Sequence, residues 1–177
     1  VPIATSDSFT ATISSVNTGF DELRVLPSTG KAQYCETDVI CQNDGVEDQC
    51  RAECLIIING NRYCSGTLVA TEGNNSESFV LTSAHCLRDG SNNFDSTFAN
   101  KCIFYFGYNT PICDANIVSS YERSISGSKV ASSHPGKDML LLKLSQRPPV
   151  DYMTYESGWN IELAPHGPAT CIHHPNG

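Results

Sequence analysis

Apolar residues along this chain come in short runs separated by turn-forming clusters. Leu55-Ile56-Ile57-Ile58 stops at Asn59-Gly60, and a second run begins at Tyr63. An Asn-Gly pair between two apolar runs is the strongest short-range hairpin signal a sequence offers. Further strands are predicted at Thr67–Ala70, Phe79–Thr82, Ile103–Tyr108, Ile117–Tyr121, Met139–Leu144 and Ala169–His173. Each is bounded by residues with turn chemistry. No long segment keeps a helical period, no strand–helix–strand rhythm occurs, and no internal repeat is found. The pattern predicts an all-β barrel or sandwich.

Residues 1–34 have a different texture. They are rich in Thr and Ser, weakly periodic and free of cysteine. They read as an N-terminal arm or the remnant of a linker or pro-segment, which places the folded domain at 35–177. Leu26-Pro27-Ser28-Thr29-Gly30 matches the sortase anchoring pattern letter for letter. The apolar segment and basic tail that such a signal needs do not follow it, so the match is read as chance.

Composition narrows the classes. A chain of 177 residues with 40% apolar content can bury the core of one domain. Eleven basic against 19 acidic residues give a net charge of −8. That excludes nucleic acid as a partner, because phosphate binding needs clustered Lys and Arg. No apolar run approaches the ~18 residues of a membrane-spanning helix. Nothing resembles a signal peptide, so any targeting segment is expected to lie outside these residues.

Nine cysteines change the picture more. Such a density means a disulfide framework outside the cell or a zinc site inside it. Only Cys50 and Cys54 approach paired-ligand spacing, and no second pair follows. A disulfide framework is therefore expected, with a secreted or cell-surface location. The count is odd, so at least one cysteine is unpaired or has its partner beyond this chain. Asn74-Asn75-Ser76 is a glycosylation sequon, meaningful only in a eukaryotic secretory host.

Two segments carry candidate chemistry. In Phe79-Val80-Leu81-Thr82-Ser83-Ala84-His85-Cys86 an apolar strand delivers a histidine into a small-residue turn, with a cysteine behind it. In His134-Pro135-Gly136-Lys137-Asp138-Met139-Leu140-Leu141-Leu142 one aspartate stands at the mouth of an apolar strand. A carboxylate there is expected to be partly desolvated and to need a hydrogen-bonding partner. A serine hydroxyl becomes a useful nucleophile when an imidazole takes its proton, and a carboxylate holds that imidazole in the right tautomer.

These segments resemble chymotrypsin-like serine proteases. Leu81–Cys86 is similar to their threonine-alanine-alanine-histidine-cysteine signature, and Cys64-Ser65-Gly66-Thr67-Leu68 to the strand before it. Asp138–Leu144 resembles the strand bearing the catalytic aspartate, 53 residues after His85, and Gly158-Trp159-Asn160 resembles the start of the second barrel. A narrower likeness is to bacterial lysyl endopeptidases. It rests on Cys35 and Cys41 flanking Glu36–Ile40, and on Cys171-Ile172-His173-His174-Pro175-Asn176. The resemblance implies a trypsin-like double β-barrel, the first barrel complete and the second truncated. It implies peptide-bond hydrolysis with His85 as general base and Asp138 as its orienting partner, on protein or peptide substrates and without a cofactor. It further implies Cys64–Cys86 and Cys41–Cys113 disulfides, with Cys35 paired far downstream. It assigns no partners to Cys50, Cys54, Cys102 and Cys171.

The family's Gly-x-Ser-Gly nucleophile turn does not occur in residues 1–177; Ser65, Ser128 and Ser157 adjoin glycines in other contexts. Single-domain barrels run ~200–250 residues, so the serine is expected downstream. A C-terminal fragment of the same enzyme is then a candidate partner. Two other classes remain at this stage: a protease-like binding module without catalysis, and a small disulfide-rich surface domain. Remaining motifs are read blandly. Trp159 is expected in the core, and His173 and His174, alternating along a strand, cannot easily chelate one ion. Asp89, Asn93 and Asp95 lack the glycine and terminal glutamate of an EF-hand, and Asp44, Glu47 and Asp48 form a solvated acidic turn.

Overall fold

Asn59 and Gly60 both take positive φ, 51° and 78°, and reverse the chain between β1 (Glu53–Ile58) and β2 (Arg62–Val69). The computed structural model describes residues 37–42, 45–73, 76–113, 123–160 and 169–174. The arm at 1–34, the Leu26–Gly30 match, Cys35, Asp44, Asn74-Asn75 of the sequon, the predicted strand Ile117–Tyr121 and Pro175-Asn176 lie outside the described residues.

β1 is apolar at every position from Cys54 to Ile58 because both its faces are covered. Cys54, Ile56 and Ile58 point into one core, while Leu55 and Ile57 pack on Tyr105 with Tyr63, Ile103 and Tyr108. A strand buried on two sides needs a continuous run, where a half-exposed one would alternate. Each such side chain contributes about 1.5–3 kcal/mol by leaving water.

The remaining strands are β3 (Phe79–Thr82), β4 (Cys102–Phe106), β5 (Ser124–Ser126), β6 (Ser128–His134) and β7 (Met139–Leu144). All pair antiparallel in the order β5-β4-β1-β2-β3-β7-β6. β5 and β6 stand at opposite ends of this order, yet only Gly127 separates them in the chain. A flat sheet cannot meet both conditions, so the sheet curls until its edges approach. Gly127, at φ 81°, is the corner. Its N–H donates to the Cys102 carbonyl (2.7 Å) and its carbonyl accepts from Ser145 N (3.0 Å). Ser128, buried beside it, donates from Oγ to the Ala99 carbonyl at 2.7 Å. Phe104, Phe106, Val80, Leu140, Leu142 and Ile125 fill the interior. The result is the expected all-β barrel, a curled antiparallel sheet with few helices.

Several local expectations are corrected. Thr67–Ala70 is not separate from the run at Tyr63: β2 is continuous through both. Glu47 and Asp48 open a helix, α1 (Glu47–Ala52), where acidic groups favour the positive N-terminal end. Ala169–His173 is in no strand. Among the described residues no neighbour offers it a backbone ladder; next to it, His174 N donates to Ser65 Oγ at 2.8 Å.

Gly66 sits in the barrel interior without room for a side chain. A Cβ there would lie 2.6 Å from Val80 Cγ1 and 2.7 Å from Ile56 Cδ1. Gly66→Ala should therefore cost about 1–3 kcal/mol through overpacking, read as a lower urea midpoint at unchanged m. An unaltered midpoint would contradict this packing.

Candidate active site

β3 and β7 run side by side with Thr82 opposite Leu140 and Phe79 opposite Lys143. His85 lies three residues beyond Thr82, and Asp138 two residues before Leu140, so both leave the ladder at the same end. A 3₁₀ turn, Ala84–Leu87, carries His85. A second one, Pro135–Lys137, precedes Asp138.

The two side chains meet at two points. His85 Nδ1 is 2.6 Å from Asp138 Oδ2, and the His85 backbone N–H donates to Asp138 Oδ1 at 2.7 Å. The main chain adds a third link, Ala84 N donating to the Asp138 carbonyl at 3.3 Å. The hydrogen bond from the His85 ring, then that from its backbone, holds the Asp138 carboxyl below its ordinary range. An ionised carboxylate only accepts, so Nδ1 of the neutral ring donates and Nε2 keeps the lone pair. Such a ring can take a proton at Nε2 and remain stabilised once charged. His85 is 56% exposed and Asp138 44% exposed in their side chains, so Asp138 is more open than its place at an apolar strand suggests. The turn leaves its carboxylate open to solvent at the start of β7, hydrogen-bonded to His85.

Asp138 itself is strained. Its φ of 55° and ψ of 38° are left-handed, which costs an L-residue roughly 1–2 kcal/mol. The surrounding bonds hold it there. Asp138 N donates to the Pro135 carbonyl (3.2 Å), and His134 Nδ1 accepts from Lys137 N (3.1 Å) at the start of the turn.

The His85 side is fastened by a Cys64–Cys86 disulfide, with S–S 2.01 Å, between β2 and the His85 turn. Thr82 Oγ1, donating to the Ser65 carbonyl at 2.7 Å, ties the end of β3, just before the His85 turn, to β2. A second bridge joins Cys41 to Cys113. Four described cysteines are not bridged: Cys50, Cys54, Cys102 and Cys171. Cys54 and Cys102 are core residues whose thiols face the Gly66 carbonyl (3.3 Å) and the Phe98 carbonyl (3.4 Å). Burial pushes Cys102 up to about 12 and Cys54 up as well, so both remain protonated and inert.

Cys64, His85 and Cys86 bring their ligand atoms within 4.8 Å of one another. The disulfide consumes both sulfurs, leaving no thiolate for a metal. His174, with its ring 5.9 Å from that of Tyr108, is driven down to about 4, first by burial and then by His173; it stays neutral at neutral pH. Asp89 Oδ1 accepts from Ser91 N (2.9 Å) and Asn93 N (2.8 Å), and Asp95 Oδ1 from Thr97 N (2.9 Å). These carboxylates organise their own loop.

Trp159 is not core. It is 58% exposed, with Nε1 donating to the Ala70 carbonyl at 2.9 Å. The segment before it runs over the surface, bonded to the end of β2 through Ser157 N to Leu68 O and Ala70 N to Ser157 O, both 2.9 Å. The Thr82 link, the His134 acceptor and the left-handed Asp138 were not anticipated from sequence; only the Pro-Gly pair signalled a turn at that point.

A family model described as lysyl endopeptidase, C-terminal domain, matches residues 29–177.

The depressed Asp138 gives a pH test with a definite sign. Its folded pKa lies below the unfolded value, so the pair stabilises the fold above the ordinary carboxylate range. That contribution disappears as pH falls through the folded pKa. Urea midpoints of the wild-type chain and Asp138→Asn should differ at neutral pH and converge in acid. A gap that does not change with pH would contradict the assignment.

Proposed function

Because the chain belongs to the lysyl endopeptidase C-terminal domain family, a chymotrypsin-like serine protease family, we propose that it supplies the histidine and aspartate of a Ser–His–Asp triad. The reaction is hydrolysis of peptide bonds in protein substrates. The observation that carries this reading is the two-point grip of Asp138 on His85, through ring and backbone together. A carboxylate that only capped a strand would have no reason to engage both donors of one histidine.

In the proposed cycle a serine hydroxyl, from a Gly-x-Ser-Gly turn supplied downstream of residue 177, attacks the substrate carbonyl carbon. His85 Nε2 accepts the hydroxyl proton as the C–O bond forms. It returns that proton to the amine when the C–N bond breaks, and a water then repeats the sequence to release the acid. Asp138 holds the ring and stabilises its positive charge while the proton is on it. Residues 35–177 form the protease domain on this reading, and 1–34 the arm before it. The location is extracytoplasmic, supported by two bridges that a reducing compartment would not maintain. A C-terminal fragment of the same enzyme is the natural partner.

Residues 1–177 alone should neither hydrolyse peptide esters nor react with a fluorophosphonate probe. Supplying the downstream segment, in one chain or as a paired fragment, should restore labelling. His85→Ala in that complete enzyme should lower kcat by roughly 10⁶-fold with the fold retained, since the side chain is largely exposed. Labelling of a serine within 1–177, or near-normal turnover by His85→Ala, would overturn the triad. A downstream segment without a reactive serine would favour the non-catalytic binding module.

A further inference from the structure

The left-handed Asp138 has to be held by its neighbours, and the turn that delivers it begins with a side chain. His134 ends β6 and pairs with Met139 of β7. Its own φ and ψ, −135° and 79°, are not helical, the condition of a residue that caps a turn. Nδ1 accepts the Lys137 N–H at 3.1 Å. Pro135 follows at the first position of the turn, where its fixed φ suits the bend and its missing N–H leaves nothing unpaired. Asp138 N then closes the turn on the Pro135 carbonyl at 3.2 Å.

We propose that His134 is a positioning residue for the His85–Asp138 pair, its imidazole acting as the acceptor that fixes the Pro135–Lys137 turn. This rests on the reading of His85 and Asp138 as the working pair. The chain of effects is short. Without the acceptor, the Lys137 N–H loses its partner and the turn gains freedom. The next residue is then no longer confined to the one backbone conformation that aims its carboxylate at both His85 donors. His134 itself is exposed, and its ring accepts from the Lys137 N–H rather than engaging His85 or Asp138, so its influence passes through the turn.

The tautomer of His85 reads this influence directly. A carboxylate bonded to Nδ1 holds the neutral ring with its proton on Nδ1, whereas a released ring reverts to the Nε2–H form common in water. Two-bond ¹H–¹⁵N correlation spectra of the 177-residue chain, recorded with neutral imidazoles, distinguish the two. Wild type and His134→Asn, whose side-chain oxygen is an equivalent cap acceptor, should show Nδ1–H at His85. His134→Ala, and His134→Phe with a ring but no acceptor, should shift towards Nε2–H. In the complete enzyme those two variants should lose about fivefold in kcat at unchanged KM, and His134→Asn should keep near wild-type turnover.

The proposal is overturned if His134→Ala and His134→Phe keep the wild-type tautomer and kcat, or if a folded His134→Asn fails as they do. Should His134→Ala not fold, the Phe and Asn variants decide. A wild-type His85 already in the Nε2–H form would overturn the pairing on which the proposal stands. Wild-type Nδ1–H that survives every substitution would remove His134 alone.

Discussion

The antiparallel register of β3 against β7 is the constraint on which the rest of the molecule depends. Thr82 opposite Leu140 puts Val80 and Leu142 in the core. It also makes the chain leave both strands at one end, where His85 and Asp138 emerge. A slip of one residue would turn Leu140, Leu142 and Leu144 to the outside, and it would part the histidine from the aspartate. The same apolar burial that stabilises the barrel therefore fixes the separation of the two polar groups. Stability and the geometry of the pair share one register.

The surrounding features act on the two turns that follow from it. Closure at Gly127 lets β6 lie beside β7, and β6 delivers the Pro135–Lys137 turn. The Cys64–Cys86 bridge ties the His85 turn to β2, and the Thr82–Ser65 hydrogen bond ties the end of β3 before it to the same strand. Each half of the pair thus has its own anchor, so the geometry does not rest on the exposed side chains alone. That matters because surface ion pairs by themselves contribute little. A contact as open as this one persists because the backbone on both sides is already in place.

Much of this was legible in the sequence wherever burial is strong. β3 and β7 occupy the residues read from their apolar runs, and the Asn59-Gly60 hairpin is where the turn chemistry put it. The two residues of the pair were legible through their flanking motifs. β5 and β6 were not: Ser-Ile-Ser and Ser-Lys-Val-Ala-Ser-Ser-His bury few side chains, and an exposed strand needs no hydrophobic rhythm. Cysteine number signalled a disulfide framework, and both expected bridges form, but it could not say which thiols stay free. Cys54 and Cys102 pack as small apolar side chains in the core, so abundance alone did not show which thiols bridge. Trp159 satisfies its indole N–H at the surface, a choice that composition cannot reveal.

A double-mutant cycle between His85 and Asp138 tests the central claim most directly. In a form of the protein that carries the proposed nucleophile, kcat/KM is measured for wild type, His85→Ala, Asp138→Asn and the double variant. If the two residues act as one unit on one proton, removing the second should cost little once the first is gone. The double variant should then fall close to His85→Ala. Losses that multiply independently would show that Asp138 does not act through His85, and would contradict the account.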